Sequence, residues 1–198
     1  MIRKNSLSCK LFHIKISSAE IFISLMKNFH PRSETCPICG SSGNCHILAY
    51  YDRSLTDFVN GRRITSSLCI RRVYCDSCKH SHAILPDIIV PYSTFSILFV
   101  LNVLGDYFTG LLTVEKICER YDISINTFYK WLALWRSHKQ AWLGVLQHIE
   151  TDDLSFWNYL RSGLDYSDFA TSFFLQTDHS FLQSHKNPVP IRGQTADL

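Results

Sequence analysis

The 198-residue sequence holds little of what marks a membrane, secreted or repetitive protein. No window of about 20 residues, the length a spanning helix needs, is apolar without interruption. The most apolar stretch, 84–114, is broken by Pro86, Asp87, Pro91, Asn102 and Asp106, so a buried helix is expected within it and no membrane contact. No secretory leader is legible. Arg3 and Lys4 resemble its charged start, but His13, Lys15 and Glu20 interrupt the apolar run and no small-residue cleavage site follows. No internal repeat recurs at a solenoid period. Charge of one sign is scarce too: the net charge is +3, which an ordinary solvated surface would give. These absences point to a cytoplasmic chain in a reducing compartment, where thiols stay available for metal instead of pairing as disulfides.

What is present suffices for a core, with 46% apolar and 13% aromatic residues. Four parts separate by composition. Residues 1–33 are a lead-in whose apolar positions 21–26 suit a short helix ending before Pro31. Residues 34–90 hold paired cysteines, a turn-rich Gly40-Ser41-Ser42-Gly43-Asn44 and short β-leaning runs at 46–51 and 68–74. Residues 91–140 switch to helical period, and residues 141–198 are aromatic, acidic and end in a polar tail with Pro188 and Pro190. The fold class expected is α+β, mostly α: a small β-rich zinc ribbon, then a helical domain containing a helix-turn-helix.

The ribbon rests on Cys36-Pro37-Ile38-Cys39-Gly40 and Cys75-Asp76-Ser77-Cys78-Lys79. Two residues between cysteines let the chain turn tightly enough for both sulfurs to meet one ion, and two such knuckles complete a tetrahedral thiolate set. Gly40 supplies the free dihedral that this turn often wants. One zinc ion is the expected cofactor, and its closed four-sulfur shell makes it structural. A thioredoxin-like redox dithiol also uses this spacing, but needs one pair opening a helix, whereas two pairs fit a ribbon. Cys45, His46, Cys69, His80 and His82 lie close enough in sequence to replace a ligand. The blander reading places Cys69 in the core as a small apolar residue and the histidines at the surface or in hydrogen bonds.

From Thr113 the apolar residues Val114, Ile117, Cys118 and Tyr121 recur at helical spacing, capped by Thr113 with Glu115 in the first turn. A second stripe, Phe128, Trp131, Leu132 and Trp135, follows a short turn at Asp122-Ile123, with Ser124 placed to cap it. Ile123 would plug the angle between the helices, and Asp122 would occupy a positive φ often given to glycine. Residues 95–107 would form the preceding helix. This pattern is that of a helix-turn-helix, whose second helix presents early residues to base edges. Asn126 can pair with adenine and Ile125 and Thr127 can meet thymine methyls, while Ser124, Tyr129 and Lys130 share that exposed face, the last two within reach of phosphates. Arg62, Arg63, Arg71 and Arg72 form a basic stretch that could add phosphate contacts or be a solvated rim.

The first knuckle, the Tyr51-Asp52-Arg53 after it, and Arg71-Arg72-Val73-Tyr74-Cys75-Asp76-Ser77-Cys78 running into His82-Ala83-Ile84-Leu85-Pro86 resemble the zinc-ribbon front of uncharacterised bacterial proteins encoded with insertion-sequence transposases. In that family a helix-turn-helix comes next, and the resemblance covers about 34–135. It implies a mobile-element context and DNA binding, without establishing an activity.

The partners expected are double-stranded DNA, with a separately encoded transposase and a second copy of the chain as further candidates. Catalysis is not expected. A two-metal nuclease needs carboxylates converging from a strand-rich domain, usually of about a hundred residues or more. Asp152, Asp153, Asp165, Asp168 and Asp178 instead lie in a short helical-looking stretch after Gln140 and read as a surface face. Two other readings stay open: a protein-interaction module gripping a partner through ribbon and aromatic tail, and a truncated metal-dependent transposase. The tail aromatics Phe173, Phe174 and Phe181 could dock a partner or pack back on the helices, the commoner outcome.

Overall fold

A computed structural model describes residues 1–4, 11, 14–145 and 151–184. The polar tail with Pro188 and Pro190, and the loop expected at His185, Lys186 and Asn187, lie outside the described residues. Over the described residues the chain is α+β, 45% helix and 25% strand, with six helices and a four-stranded mixed sheet.

The centre of the molecule is one long antiparallel hairpin, β2 (Cys45–Val59) against β3 (Arg62–Cys75). Its turn is Asn60-Gly61, with φ of 52° and 76°. Asn-Gly at two positive φ values gives the tight turn whose twist matches the strands it joins. The strands run well past the short β-leaning segments expected from sequence, because Ser54, Ser66 and Ser67 extend the ladder without apolar side chains. Leu48 is the extra residue of a register shift between Ile47 and Ala49. Along β3, Leu68 and Ile70 are buried and Cys69 is exposed. The core position expected for Cys69 is therefore corrected: strand side chains alternate faces, and Cys69 falls on the solvent side between two buried neighbours.

β3 passes through the second cysteine pair into β4 (Ser81–Pro86), which also pairs in parallel with β1 (Ile2–Lys4), giving the order β1-β4-β3-β2. Helix α1 (Ser18–Lys27) begins with a reciprocal cap between Ser17 and Glu20 and buries Ile21, Phe22 and Met26. It ends before Pro31, as expected.

The apolar stretch 84–114 divides into β4, a turn-rich connection and α2 (Ile97–Phe108). No described helix is long and apolar enough to cross a membrane. Instead α2 buries Ile97, Phe99, Val100, Leu101, Val103, Leu104 and Gly105, and each large apolar side chain so covered contributes about 1.5–3 kcal/mol. One buried carboxylate fixes its start. Asp57 on β2 accepts hydrogen bonds from the Ser18 N–H and hydroxyl and from the Ser96 hydroxyl, while Ser96 Oγ accepts the Phe99 N–H. The tip half of the hairpin, α1 and α2 are joined at that point.

Helices α3 (Val114–Tyr121) and α4 (Ile125–Val145) follow, with α4 continuous through position 140. Then come α5 (Asp153–Asn158), a π-helical turn (Tyr159–Gly163) and α6 (Tyr166–Thr177). Phe173 and Phe181 pack back on the helical core, their ring centroids 5.3 Å apart and that of Phe181 5.7 Å from Trp135. The aromatic tail therefore fills the core over these residues, the commoner of the two outcomes weighed from sequence.

Candidate metal centre and polar helix face

The two cysteine knuckles have the same backbone. Gly40 N–H bonds Cys36 O and Lys79 N–H bonds Cys75 O, both at 2.9 Å; Cys36 N–H bonds Ser41 O and Cys75 N–H bonds His80 O, again at 2.9 Å. Gly40 has φ 71° and Lys79 has φ 62°. Gly40 thus fills the left-handed position expected of it, and Lys79 fills the equivalent one. Polar side chains tie the knuckles together: Ser41 and Ser77 hydroxyls meet at 2.9 Å, and the Asn44 amide donates to both.

This brings Cys36, Cys39, Cys75 and Cys78 into one group whose sulfurs all lie within 4.8 Å of one another. Cys36 and Cys78 sulfurs are 3.5 Å apart, and those of Cys39 and Cys75 are 3.8 Å apart. A disulfide needs about 2.05 Å, whereas tetrahedral ligands on metal–sulfur bonds of about 2.3 Å sit about 3.8 Å from each other. The arrangement is compatible with metal binding, and the four thiols fit one ion.

Donors surround the sulfurs. Backbone N–H groups of Cys78 and Ser77 hold the pKa of the Cys75 thiol down to about 6. Burial pushes the Cys78 thiol up, against the N–H of His80, and Ser41 donates toward Cys39. His82, a residue of β4, places Nε2 3.3 Å from the Cys36 sulfur, while its Nδ1 faces the Met1 nitrogen at 3.4 Å. Burial pushes the His82 pKa down to about 4, so the ring is neutral. The tautomer with its proton on Nε2 would accept at Nδ1 from Met1 and donate to the Cys36 sulfur.

None of the other nearby side chains joins the group of four. Cys45 is buried opposite Cys75, its thiol pushed up to about 11 by burial. His46 pairs with Asp76 at 3.0 Å, and His80 Nδ1 contacts Cys78 O at 2.7 Å. Cys69 lies on the exposed face of the hairpin.

Beyond the hairpin tip, α3, a short turn and α4 form a second candidate surface. Thr113 caps α3, and the Ser124 hydroxyl caps α4 by accepting the Thr127 N–H at 3.1 Å. Asp122 has φ 49°, as the turn requires. Its N–H bonds Glu119 O and the Ile123 N–H bonds Cys118 O, the paired bonds that end a helix on a left-handed residue. Ile123 is half-buried against the core. On α4, Ile125, Asn126, Tyr129 and Lys130 are exposed, Phe128 is buried, and Thr127 is half-buried with its hydroxyl 2.9 Å from that of Ser124.

The four arginines separate. Arg63 bonds both the backbone oxygen and the carboxylate of Asp122, the latter at 2.7 Å. Arg71 lies over the Phe29 ring, and Arg72 donates to the Ser81 hydroxyl at 2.6 Å. Arg62 is exposed at the tip, and its side chain makes no hydrogen bond or ion pair among the described residues. The acidic residues have local duties: Asp152 and Asp165 cap α5 and α6, Asp178 ends α6 at φ 57°, and Asp153 binds Trp135, Arg136 and Lys139. Among the described residues the four cysteines are the one group of three or more side chains placed to share a metal.

Residues 36–131, just under half of the chain, are similar to a family described as a domain of unknown function (DUF6431). That span runs from the first knuckle into α4 and so takes in both candidate surfaces. No curated protein and no solved structure matches the chain.

Proposed function

We propose that this chain is a zinc-stabilised DNA-binding protein that reads sequence through α4, with α3 and α4 acting as a helix-turn-helix. The observation that carries the reading is the closed set of four thiols at one end of a hairpin whose other end is bonded to the α3–α4 turn. Zinc in a four-thiolate shell supplies no open position and acts by cross-linking, and such sites contribute on the order of 10–16 kcal/mol to folding small modules. Cys36 and Cys39 staple the chain ahead of β2 to Cys75 and Cys78 at the end of β3. The sheet so fixed holds α2 through Asp57, and α2 in turn supports α3, where Tyr121 donates to Asp106 at 3.0 Å.

On the reading face, Asn126 is exposed in the first turn of α4, where a carboxamide can bridge the N6 and N7 edge of adenine. Ile125 offers apolar contact to a thymine methyl, and Tyr129 and Lys130 reach phosphates one turn on. Thr127 serves mainly in the cap with Ser124. The duplex is the partner, within a mobile-element context, and the chain supplies the DNA-reading part of a system whose transposase is encoded separately. A second copy bound to an adjacent half-site is compatible with this role.

The test is binding of the purified, metal-replete chain to random-sequence duplexes at two salt concentrations, followed by selection. A salt-dependent affinity and a selected motif are expected. Asn126→Ala should relax preference at one position by about 1–3 kcal/mol and leave the rest of the motif intact. Absence of any salt-dependent duplex binding by the zinc-loaded protein would overturn the proposal.

A further inference from the structure

We infer that the tip of the β2–β3 hairpin is a second DNA-contacting element, which places Arg62 on the duplex flanking the base pairs met by α4. This rests on the DNA reading of α4 and extends it to a site that the basic stretch alone does not define. In sequence, four arginines offer themselves equally to phosphate. In the fold, two of them stand back along the strand: Arg71 is stacked on Phe29 and Arg72 is bonded to Ser81. At about 3.3 Å per residue they lie roughly 30 Å from the tip.

Arg62 and Arg63 sit beside the Asn60-Gly61 turn, and neighbouring strand residues face opposite ways. Arg63 turns inward, bonds Asp122 twice, and lies with its guanidinium 5.7 Å from the Phe95 ring centroid. Phe58, four places before Arg62, packs 4.4 Å from Tyr121, and Arg120 covers the outer side of the same ring. The tip is thus pinned to the C-terminal end of α3, two residues before the cap of α4. A helix entering a major groove from that position carries the tip to the adjoining backbone. Arg62, exposed and with no side-chain partner among the described residues, is the side chain left to meet it.

The Arg63–Asp122 pair also removes an electrostatic objection. The Asp122 side chain is 86% exposed at the start of the reading helix, where a bare carboxylate would repel phosphate. Arg63 offsets that charge and leaves the positive charge of Arg62 uncompensated. The tip therefore presents a single cation on a narrow turn whose backbone is held at both sides.

The experiment compares the zinc-loaded full chain with its Arg62→Ala and Arg62→Lys variants on the duplex selected for the parent. Each is measured on a long form and on a form trimmed to the bases protected around α4. Arg62→Ala should weaken binding to the long form about three- to tenfold near physiological salt. It should lower the slope of log affinity against log salt by about one and erase hydroxyl-radical protection on one flank, with the selected motif unchanged. Trimming that flank should reduce parent affinity and leave Arg62→Ala unaffected, and Arg62→Lys should restore the slope. If the parent binds its motif while Arg62→Ala keeps the same slope and the same flank protection, the inference is overturned and the reading of α4 stands. If the parent binds no duplex, both are overturned together. Because the Arg62 side chain is exposed and makes no hydrogen bond or ion pair among the described residues, the variant is expected to fold as the parent does, and its circular dichroism spectrum checks this.

Discussion

Gly105, in the last turn of α2, is a position where a single added methyl should disturb the support of α3 and α4. A Cβ built there falls 2.6 Å from Cζ2 of Trp157, 3.0 Å from its Cε2 and 3.3 Å from its Nε1. Carbon atoms rest at about 3.5–4.0 Å, so the indole must retreat by about 1 Å. It has little room to do so, since Trp157 is 7% exposed and is backed by Trp135 with ring centroids 6.4 Å apart. Overpacking of this kind costs about 1–3 kcal/mol. In an open helix the same change would gain about 1 kcal/mol, because glycine is the poorer helix former. A net loss of up to about 2 kcal/mol follows for Gly105→Ala, or up to about 8 °C in the midpoint of thermal unfolding for a chain of this size. Urea unfolding of the zinc-replete protein, followed by tryptophan fluorescence, would measure it. In a Trp157→Phe background, which removes the crowding ring, the penalty of Gly105→Ala should shrink or reverse. A stabilising effect in the parent background, or the same penalty in both backgrounds, would refute the packing described.

Three further substitutions have opposite or pH-dependent signs. The His138 pKa is pushed down to about 4, first by burial and then by the charge of His179, and its Nδ1 accepts the Leu182 N–H at 2.9 Å. The unfolded ring titrates near 6.5, so the folded state binds fewer protons. The contribution of the neutral ring is complete above about pH 6.5 and is lost as pH falls toward 4. After allowance for partial solvent exposure, about 1–2 kcal/mol should disappear across that window. His138→Asn, whose Oδ1 can accept the same N–H without titrating, should flatten the dependence of the urea midpoint between pH 7 and 5; equal slopes in both proteins would exclude His138 as its source. In the knuckles, Gly40→Ala meets no atom within 4 Å yet must hold φ 71°, so it should cost about 1–2 kcal/mol from the backbone alone. Lys79→Gly, at φ 62°, should gain about 0.5 kcal/mol. The same sign for both in chelator-challenge unfolding would show that the two turns are not equivalent.

The parts of this fold that were legible in sequence are those set by local chemistry. Paired cysteines fix a knuckle within five residues, and Thr113, Ser124 and Asp122 mark helix ends with side chains that bond their own neighbours. The apolar stretch 84–114 was readable as buried because its prolines and carboxylates forbid a spanning helix. The length of the hairpin was less visible, since its middle is polar; the Asn60-Gly61 pair was the available signal, standing between two runs that pair in register. Cys69 was misplaced because an apolar neighbourhood says nothing about which face of a strand a residue takes. The Arg63–Asp122 pair and the approach of His82 to Cys36 join positions distant in sequence, and no spacing rule announces either. In the acidic third, Asp152 and Asp165 became helix caps and Asp153 an ion-pair partner for the same reason: each acts on a backbone or a cation that only the fold supplies.

Metal content tests the central claim most directly. Elemental analysis of the protein as purified, paired with native mass spectrometry, should find one zinc per chain, with Cys36, Cys39, Cys75 and Cys78 shielded from alkylation until a chelator removes the ion. Cys75→Ser should abolish that stoichiometry and loosen the sheet. A chain without zinc, whose four thiols alkylate freely while its circular dichroism and unfolding midpoint withstand a strong chelator, would contradict the account.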